Sequence, residues 1–543
     1  MRFTTLLLVL LSAVNGLVAQ APATSPDKPK LIVGLVIDQM RYDFLYRYQS
    51  KYGTGGFKRL LREGYSCENT HINYSPSYTA CGHTCVYTGS VPSIHGITGN
   101  DWYDYEAGAM VYCTQDTAMR TVGSSSGAGK MSPNRLLPTT ITDELRLATN
   151  YKGKTIGVAI KDRSSILPAG HAANAAYFYD PSAGAWITSN YYMKELPLWV
   201  QEFNAAKWPE KFLSGDWKML LDSSAYWEST PDDEPWEGTF DNEMKPIFTH
   251  KVSSLTNPSY KILAGTPFGN SVTLKFAEGA VLNEQLGADA ITDFLAVSLS
   301  STDYIGHRFG PNSVEAEDCY LRLDQDLAEF FTFLDTRVGK GNYVLFLTAD
   351  HGAAHSPGFL NEHKIPAGVF PIDTILQGLD KELNRIYGDT TLLLSYENMQ
   401  LYLNNKVIAD KKLDRAALKS FIKNYLLKYD GVSKVLDLEN LANENVPADL
   451  KQKISNGVFA KRSGDLFVLH EPGWFEGFTK GTTHGTIYPY DTHIPLVWMG
   501  WKIPHAEDHS DIHMTDIAPT VAALLHIQEP SGNIGKVITG IVK

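Results

Sequence analysis

A chain of 543 residues, 43% apolar and 20% charged, has an ordinary globular composition and enough length for one large core with insertions, or for about two or three domains. The net charge of −12 argues against a nucleic-acid binder, which shows a basic face; an anionic small substrate stays open, because a local field can oppose the net charge. Five cysteines are too few for a disulfide scaffold, and an odd number leaves at least one thiol.

The chain opens on "MRFTTLLLVLLSAVNGLVAQAPA". Arg2, the apolar run from Leu6 to Val14 and the small residues after it read as a secretory signal peptide over residues 1–19, with cleavage near Ala19 to Ala23. A membrane anchor is the alternative, but the run is shorter than the ~18 to 20 residues a span needs. No later apolar run reaches that length. A periplasmic or secreted chain with no membrane partner is therefore expected, and it is read as a monomer.

Residues 20–543 are read as a single domain. "KLIVGLVID" (Lys30 to Asp38), "KTIGVAIKDR" (Lys154 to Arg163), "DFLAVSLSSTD" (Asp293 to Asp303), "NYVLFLTADHG" (Asn342 to Gly352) and "IPLVWMG" (Ile494 to Gly500) are short apolar runs without alternation. Buried parallel strands read this way. Helical patterns at Thr139 to Ala148, Ser313 to Leu334 and Met514 to Leu525 lie between them, so the fold class is α/β with a mainly parallel central sheet flanked by helices. Residues from about 164 to 287, rich in aromatics, Gly, Pro and Asn, and from about 358 to 480 are read as insertions decorating that core.

Four of the runs deliver polar residues at their C-terminal ends, which is where open α/β sheets bind ligands. Asp303 and His307 stand at i, i+4 and share one face of a helical turn. Asp350 and His351 are adjacent, so they must lie beyond their strand to face one ion. Asp38 ends the first run, and His484 sits between small residues in "GTTHG". Singly, these would pass as a surface pair, a turn, a helix N-cap and a loop histidine. Jointly, mixed carboxylate and imidazole ligands suit zinc better than magnesium or calcium.

"SPSYTACGHTCVYTG" reads as a helix entered at Thr79. A helix N-terminus directs free N–H groups at an anion, and a threonine oxygen held there on a metal can attack phosphorus. Taken alone, Thr79 is an N-cap, and Cys81 and Cys85 are core packing. Lys161 and Arg163, at i and i+2 of an extended chain, could grip a phosphoryl group. Asn100, in "HGITGN", is a candidate neutral donor.

Together these residues resemble the alkaline phosphatase superfamily, with its order of Asp38, Thr79, "STDYIGH", "TADHG" and "THG". The likeness is greatest to the PafA-type, phosphate-irrepressible branch, which uses a threonine nucleophile and a lysine–arginine pair. It runs from about Lys30 to the C-terminus, where "MTDIAPTVAALLHI" resembles the superfamily's closing helix. The resemblance implies two Zn2+ per chain: one held by Asp303, His307 and His484, the other by Asp38, Asp350, His351 and the Thr79 oxygen. It implies that Lys161, Arg163 and Asn100, with the backbone N–H of Ala80, contact the phosphoryl group, and that a phosphothreonine forms. Ser298 stands where classical members carry a magnesium-site glutamate, so no third Mg2+ site is expected. The cations outweigh three aspartates and an alkoxide, which suits a phosphomonoester dianion better than a diester.

Other readings compete. A sulfatase would need a C/S-x-P-x-R motif, absent around Thr79. A phosphodiesterase or nucleotide pyrophosphatase of the same superfamily shares the metal ligands but has an apolar pocket where this chain offers Lys161 and Arg163. A non-catalytic secreted zinc-binding protein would have no use for a nucleophile and a phosphate grip.

Overall fold

The computed structural model describes residues 27–255, 260–388, 390–477 and 479–542; the signal-peptide segment lies outside them. A ten-stranded sheet organises the chain. Its strands are β1 (Leu31–Ile37), β2 (Tyr65–Cys67), β3 (Thr121–Val122), β4 (Thr155–Ala159), β5 (Ala175–Asp180), β6 (Ala185–Ser189), β7 (Asp293–Leu299), β8 (Tyr343–Thr348), β9 (Leu496–Gly500) and β10 (Ala506–Asp508), in the order β10-β2-β9-β8-β1-β7-β4-β5-β6-β3. The central run β8-β1-β7-β4-β5 is parallel throughout. Every residue of β1, β4, β7 and β8 is buried, which explains why their sequences are continuous rather than alternating. Each fully buried Val, Leu or Ile there contributes about 1.5–3 kcal/mol.

The helices that matter here are α1 (Thr79–Thr88), α2 (Ile141–Ala148), α3 (Asp162–Ala169), α4 (Phe268–Asn283), α5 (Ser301–Phe309), α6 (Val314–Leu334) and α7 (Ile517–Leu525). Helix α1 is buried along its whole length and crosses the sheet above β1. Gly34 makes room for it: a Cβ at that position would collide with the Tyr87 hydroxyl and come within 2.6 Å of the Phe346 ring. Cys81 and Cys85 pack into the main core from this helix, and all five cysteines are buried free thiols.

Two expectations need correction. The run ending in Gly500 was expected among the parallel strands, yet β9 pairs antiparallel with β8. The chain has already delivered His484 at the C-terminal edge of the sheet before β9 begins, so β9 must run back. Burial pattern alone carries no direction. The stretch from about 164 to 287 is not wholly an insertion. It supplies β5, parallel to β4, and β6, antiparallel to β5, together with α4, which packs on β7. Part of its aromatic content is core: Trp186 on β6 and Phe276 on α4 are buried, and their rings stack at 4.3 Å.

The stretch from about 358 to 480 has its own architecture. Strands Leu393–Glu397, Gln400–Leu403, Leu466–His470 and Val432–Asp437 form an antiparallel sheet. Helices Ile372–Tyr387 and Arg415–Leu426 cover it around a separate apolar cluster that includes Leu379, Leu401 and Ile422.

Candidate active site

The adjacent parallel strands β8, β1, β7 and β4 each release one charged group at the same edge. Asp38 follows β1, and its N–H donates to Leu299 O at the end of β7 (3.1 Å). Asp303 lies in the first turn of α5. Asp350 and His351 lie past the end of β8, as sharing an ion requires. Lys161 is the extended residue that caps α3. Arg163 therefore sits in the first helical turn, not on an extended chain, and the i, i+2 argument for its direction does not hold.

Asp38, Asp303 and Asp350 are at most 3% exposed. Lys161 lies among them, its Nζ donating to Asp38 Oδ2 (2.8 Å) and Asp303 Oδ2 (2.6 Å). Burial alone would lower the lysine's pKa, but the Asp303 and Asp38 charges raise it. Burial, then the Asp350 charge, pushes Asp38 well above the carboxylate range against the pull of Lys161. Burial also acts against ionisation of Asp303, yet His307 and Lys161 overcome it and hold its pKa well below the usual value. Asp38 Oδ1 and Asp350 Oδ2 are buried without a hydrogen-bond partner. One lysine does not neutralise three buried aspartates, and unpaired buried charge is costly. The deficit is positive charge, which a metal would supply.

The imidazoles are oriented for such a metal. His307, His351 and His484 each turn Nδ1 to a backbone carbonyl: Thr482 O (2.8 Å), Gly352 O (3.0 Å) and Ser77 O (2.8 Å). A carbonyl only accepts, so Nδ1 carries the proton and Nε2 keeps its lone pair for the site. Burial lowers the pKa of His351, and that of His484 well below normal, so both stay neutral. Asp303 raises His307 despite burial.

Two groups of donor atoms converge tightly: Asp38, Asp350 and His351, and Asp303, His351 and His484. The first contains the expected trio. In the second, His351 takes the place expected for His307. The His351 ring stacks on His484 at 3.4 Å, so its Nε2 lies between the two groups. His307 Nε2 is 3.1 Å from Asp303 Oδ1 on the solvent side, its side chain 37% exposed.

Thr79 is the first residue of α1 and is 1% exposed. Tyr78 provides the extended entry and no side-chain cap, which leaves Thr79 Oγ1 to donate to His351 Nε2 at 3.3 Å. The Ala80 N–H, expected to face substrate, instead donates to Asn100 Oδ1 (3.0 Å). That bond fixes the amide so that Nδ2 remains the free donor of Asn100. Arg163 is set by Tyr112, whose hydroxyl accepts from Nη1 (3.1 Å) and donates to Asp162 (2.8 Å).

Sequence reasoning missed three groups. Gln39 donates from its backbone to Asp350 (3.1 Å) and from Nε2 to Asp303 (2.8 Å), tying two aspartates to β1. It does so at φ +62°, a strained conformation for a non-glycine residue that no local pattern announces. His83 joins Thr79 O (2.9 Å) to Ser298 Oγ (2.8 Å) and lies 3.3 Å from Asp350 Oδ2. Its position four residues after Thr79 was a readable signal. Asp491 accepts from the backbone (2.8 Å) and hydroxyl (2.6 Å) of Thr486, and its carbonyl accepts from Gly352 N (2.8 Å), which joins the two histidine loops.

Gly82 lets α1 approach Asp350: a Cβ there would meet the Asp350 carbonyl and lie 2.7 Å from its Cβ. Gly82→Ala is expected to cost about 1–3 kcal/mol by overpacking and to lower kcat by displacing Thr79 from His351. Denaturant unfolding and steady-state kinetics check both; a variant with wild-type stability and rate would refute the close approach.

The model for type I phosphodiesterases and nucleotide pyrophosphatases matches residues 32–501. Alkaline phosphatase PhoV of Synechococcus elongatus is 49% identical, with 99% of this chain and 98% of PhoV covered. Alkaline phosphatase PafA of Elizabethkingia meningoseptica is 48% identical over 97% of each chain. A crystal structure of wild-type alkaline phosphatase PafA, 48% identical, superposes with a TM-score of 0.93, covering 95% of this chain and 99% of that one. A Myroides odoratus protein named a calcium-transporting ATPase is 50% identical over 94% of each chain; among the described residues here, no helix is long and apolar enough to cross a membrane. The chain belongs to the type I phosphodiesterase/nucleotide pyrophosphatase family, among its PafA- and PhoV-like alkaline phosphatases.

Proposed function

We propose that this alkaline phosphatase hydrolyses small-molecule phosphate monoesters through a phosphothreonine at Thr79, with two zinc ions per chain and no third magnesium site. The observation that carries the reading is the Thr79 hydroxyl at a helix N-terminus, facing His351 inside a ring of three buried aspartates. The donor set, three carboxylates and three imidazoles that each turn Nδ1 to a backbone carbonyl, fits zinc. Asp38, Asp350, His351 and Thr79 Oγ1 would hold one ion; Asp303, His307 and His484 would hold the other. His351 lies close enough to both groups to serve either. Bound zinc supplies Lewis-acid charge that favours the threonine alkoxide and stabilises the oxygens that gain charge.

The chain's own residues do the rest. Thr79 Oγ1, its proton given up to solvent, attacks phosphorus in line and forms the P–O bond as the ester P–O bond breaks, and the alcohol oxygen leaves and takes a proton from water. Asn100 Nδ2 and the Arg163 guanidinium hold non-bridging oxygens, and Lys161 balances Asp38 and Asp303 behind them. Water then attacks the phosphothreonine, releasing inorganic phosphate and restoring the Thr79 hydroxyl. Export to the periplasm or the exterior rests on the reading of residues 1–19.

The test is a metal count on the purified enzyme, with acid quenching during turnover and mass analysis of the Thr79 peptide. Two zinc ions, loss of turnover on chelation and a phosphoryl adduct on Thr79 are expected. Full turnover after chelation, or an adduct elsewhere, would sink the reading.

A further inference from the structure

Asn100 does not stand on the ten-stranded sheet. It leads into strand Asp101–Asp104, which pairs with Ala109–Tyr112 in a two-stranded hairpin. A hairpin of two strands is marginally stable by itself, so a phosphoryl donor mounted on it needs outside support. Two of its own polar groups are already held: the Asn100 carbonyl accepts from Cys113 N (2.8 Å) and Oδ1 accepts from Ala80 N (3.0 Å).

The remaining support comes from the 358–480 stretch. The Tyr402 ring lies 5.9 Å from that of Tyr103 and 5.8 Å from that of Tyr105, and the Tyr105 hydroxyl donates to Asp465 (2.8 Å). Asn398 brackets Asn100 itself. Its Nδ2 donates to Asp101 O (2.7 Å). Its carboxamide also lies against Gly99, where a Cβ would come 2.3 Å from Nδ2 and 2.5 Å from Oδ1. One side chain, 5% exposed, therefore touches the residues before and after Asn100.

Asn398 is in turn fixed by its own hairpin. Glu397 pairs directly with Gln400, which leaves Asn398 and Met399 as a two-residue loop at φ +56° and +60°. Left-handed φ at both positions is the turn that matches the twist of such a hairpin, and asparagine tolerates it better than methionine. Met399 O accepts from Val468 N (2.8 Å), which ties the turn to strand Leu466–His470.

We propose that Asn398 is a positioning residue: from the tip of its hairpin it holds the backbone from Gly99 to Asp101, so that Asn100 Nδ2 is aimed at the phosphoryl group. The proposal rests on the reading of Asn100 as a phosphoryl donor and extends it to a stretch that supplies none of the proposed metal ligands or the nucleophile. Misplacing a group by about 1 Å can cost about a hundredfold in rate.

The experiment is a double-mutant cycle on kcat/KM for phenyl phosphate, with wild type, Asn398→Gly, Asn100→Ala and the double variant. Glycine keeps the left-handed turn and removes the carboxamide. Asn398→Gly is expected to lower kcat/KM by about tenfold in the wild-type background and by less than about twofold in the Asn100→Ala background, as coupled residues do. Asn398→Asp keeps the shape and the turn but sets an acceptor against Asp101 O, and should lose at least as much as Asn398→Gly. Equal losses from Asn398→Gly in both backgrounds would make Asn398 a general support of the fold. Wild-type kcat/KM in either Asn398 variant, beside an impaired Asn100→Ala, would leave Asn100 aimed without it. Each of these results overturns the proposal. Asn100→Ala at the wild-type rate removes the donor and the proposal together, and a wild-type enzyme that does not turn over the monoester sinks the phosphomonoesterase reading itself.

Discussion

Thr79→Ala is expected to lower kcat for an aryl phosphate monoester by about ten-thousandfold or more, the scale seen when a covalent nucleophile is removed. The reason is that hydroxyls close to it in the sequence are engaged elsewhere. Ser77 Oγ donates to Thr486 O (3.0 Å), and Thr84 Oγ1 donates to Ala80 O (2.7 Å). Folding should be little disturbed, because Thr79 Oγ1 caps no backbone group of α1 and the helix is held by burial along its length. Thr79→Ser keeps the hydroxyl and loses only a methyl, so it should stay within about tenfold of wild type. Single-turnover rates on both variants, with melting curves as a control, make the comparison. An alanine variant within tenfold of wild type would remove Thr79 from the chemistry.

The parts of this site legible in the sequence are those where one residue type does one job at a fixed place. Asp38, Asp303 and Asp350 each stand just beyond a buried apolar run, and that placement alone predicts a shared edge. The Asp303 and His307 pair was legible because α5 does run through both. The direction of β9 was not legible, since burial says nothing about polarity. Nor was the place of residues 175–189 in the main sheet, because "YFYD" and "AWITS" are aromatic and small residues whose partner strands lie elsewhere in the chain. The supporting groups were hidden for a different reason. The partners of Gln39 and His83 lie 264 and 215 positions away, at Asp303 and Ser298, and the Asp491 carbonyl ties in Gly352 from another loop. Such partners follow only from the assembled fold. His351 shows the same limit from within a motif: its position beside Asp350 was readable, but its stacking on His484, which puts it between the two donor groups, was not.

The second large effect is expected at the phosphate grip. Arg163→Ala combined with Lys161→Ala should lower kcat/KM for a phosphate monoester by about a thousandfold, while a matched diester falls by only about tenfold. A monoester dianion carries one more charge than a diester monoanion, and removing a fixed donor to charge that develops in a transition state costs about a hundredfold to a thousandfold. The two residues do different work, however. Arg163 is oriented by Tyr112 and presents a planar guanidinium that can bind two oxygens at once. Lys161 is spent on Asp38 and Asp303. Its loss removes a cation from between two buried carboxylates, so part of the Lys161→Ala effect should appear in metal affinity. Arg163→Ala alone should leave the zinc count unchanged and weaken monoester turnover; Lys161→Ala alone should also shift the chelator concentration that strips the protein. Measuring zinc content and both kcat/KM values on each single variant separates the roles. Equal losses on monoester and diester in the double variant, with zinc retained, would mean that these cations do not read the second charge of the substrate, and that the preference for monoesters comes from elsewhere in the site.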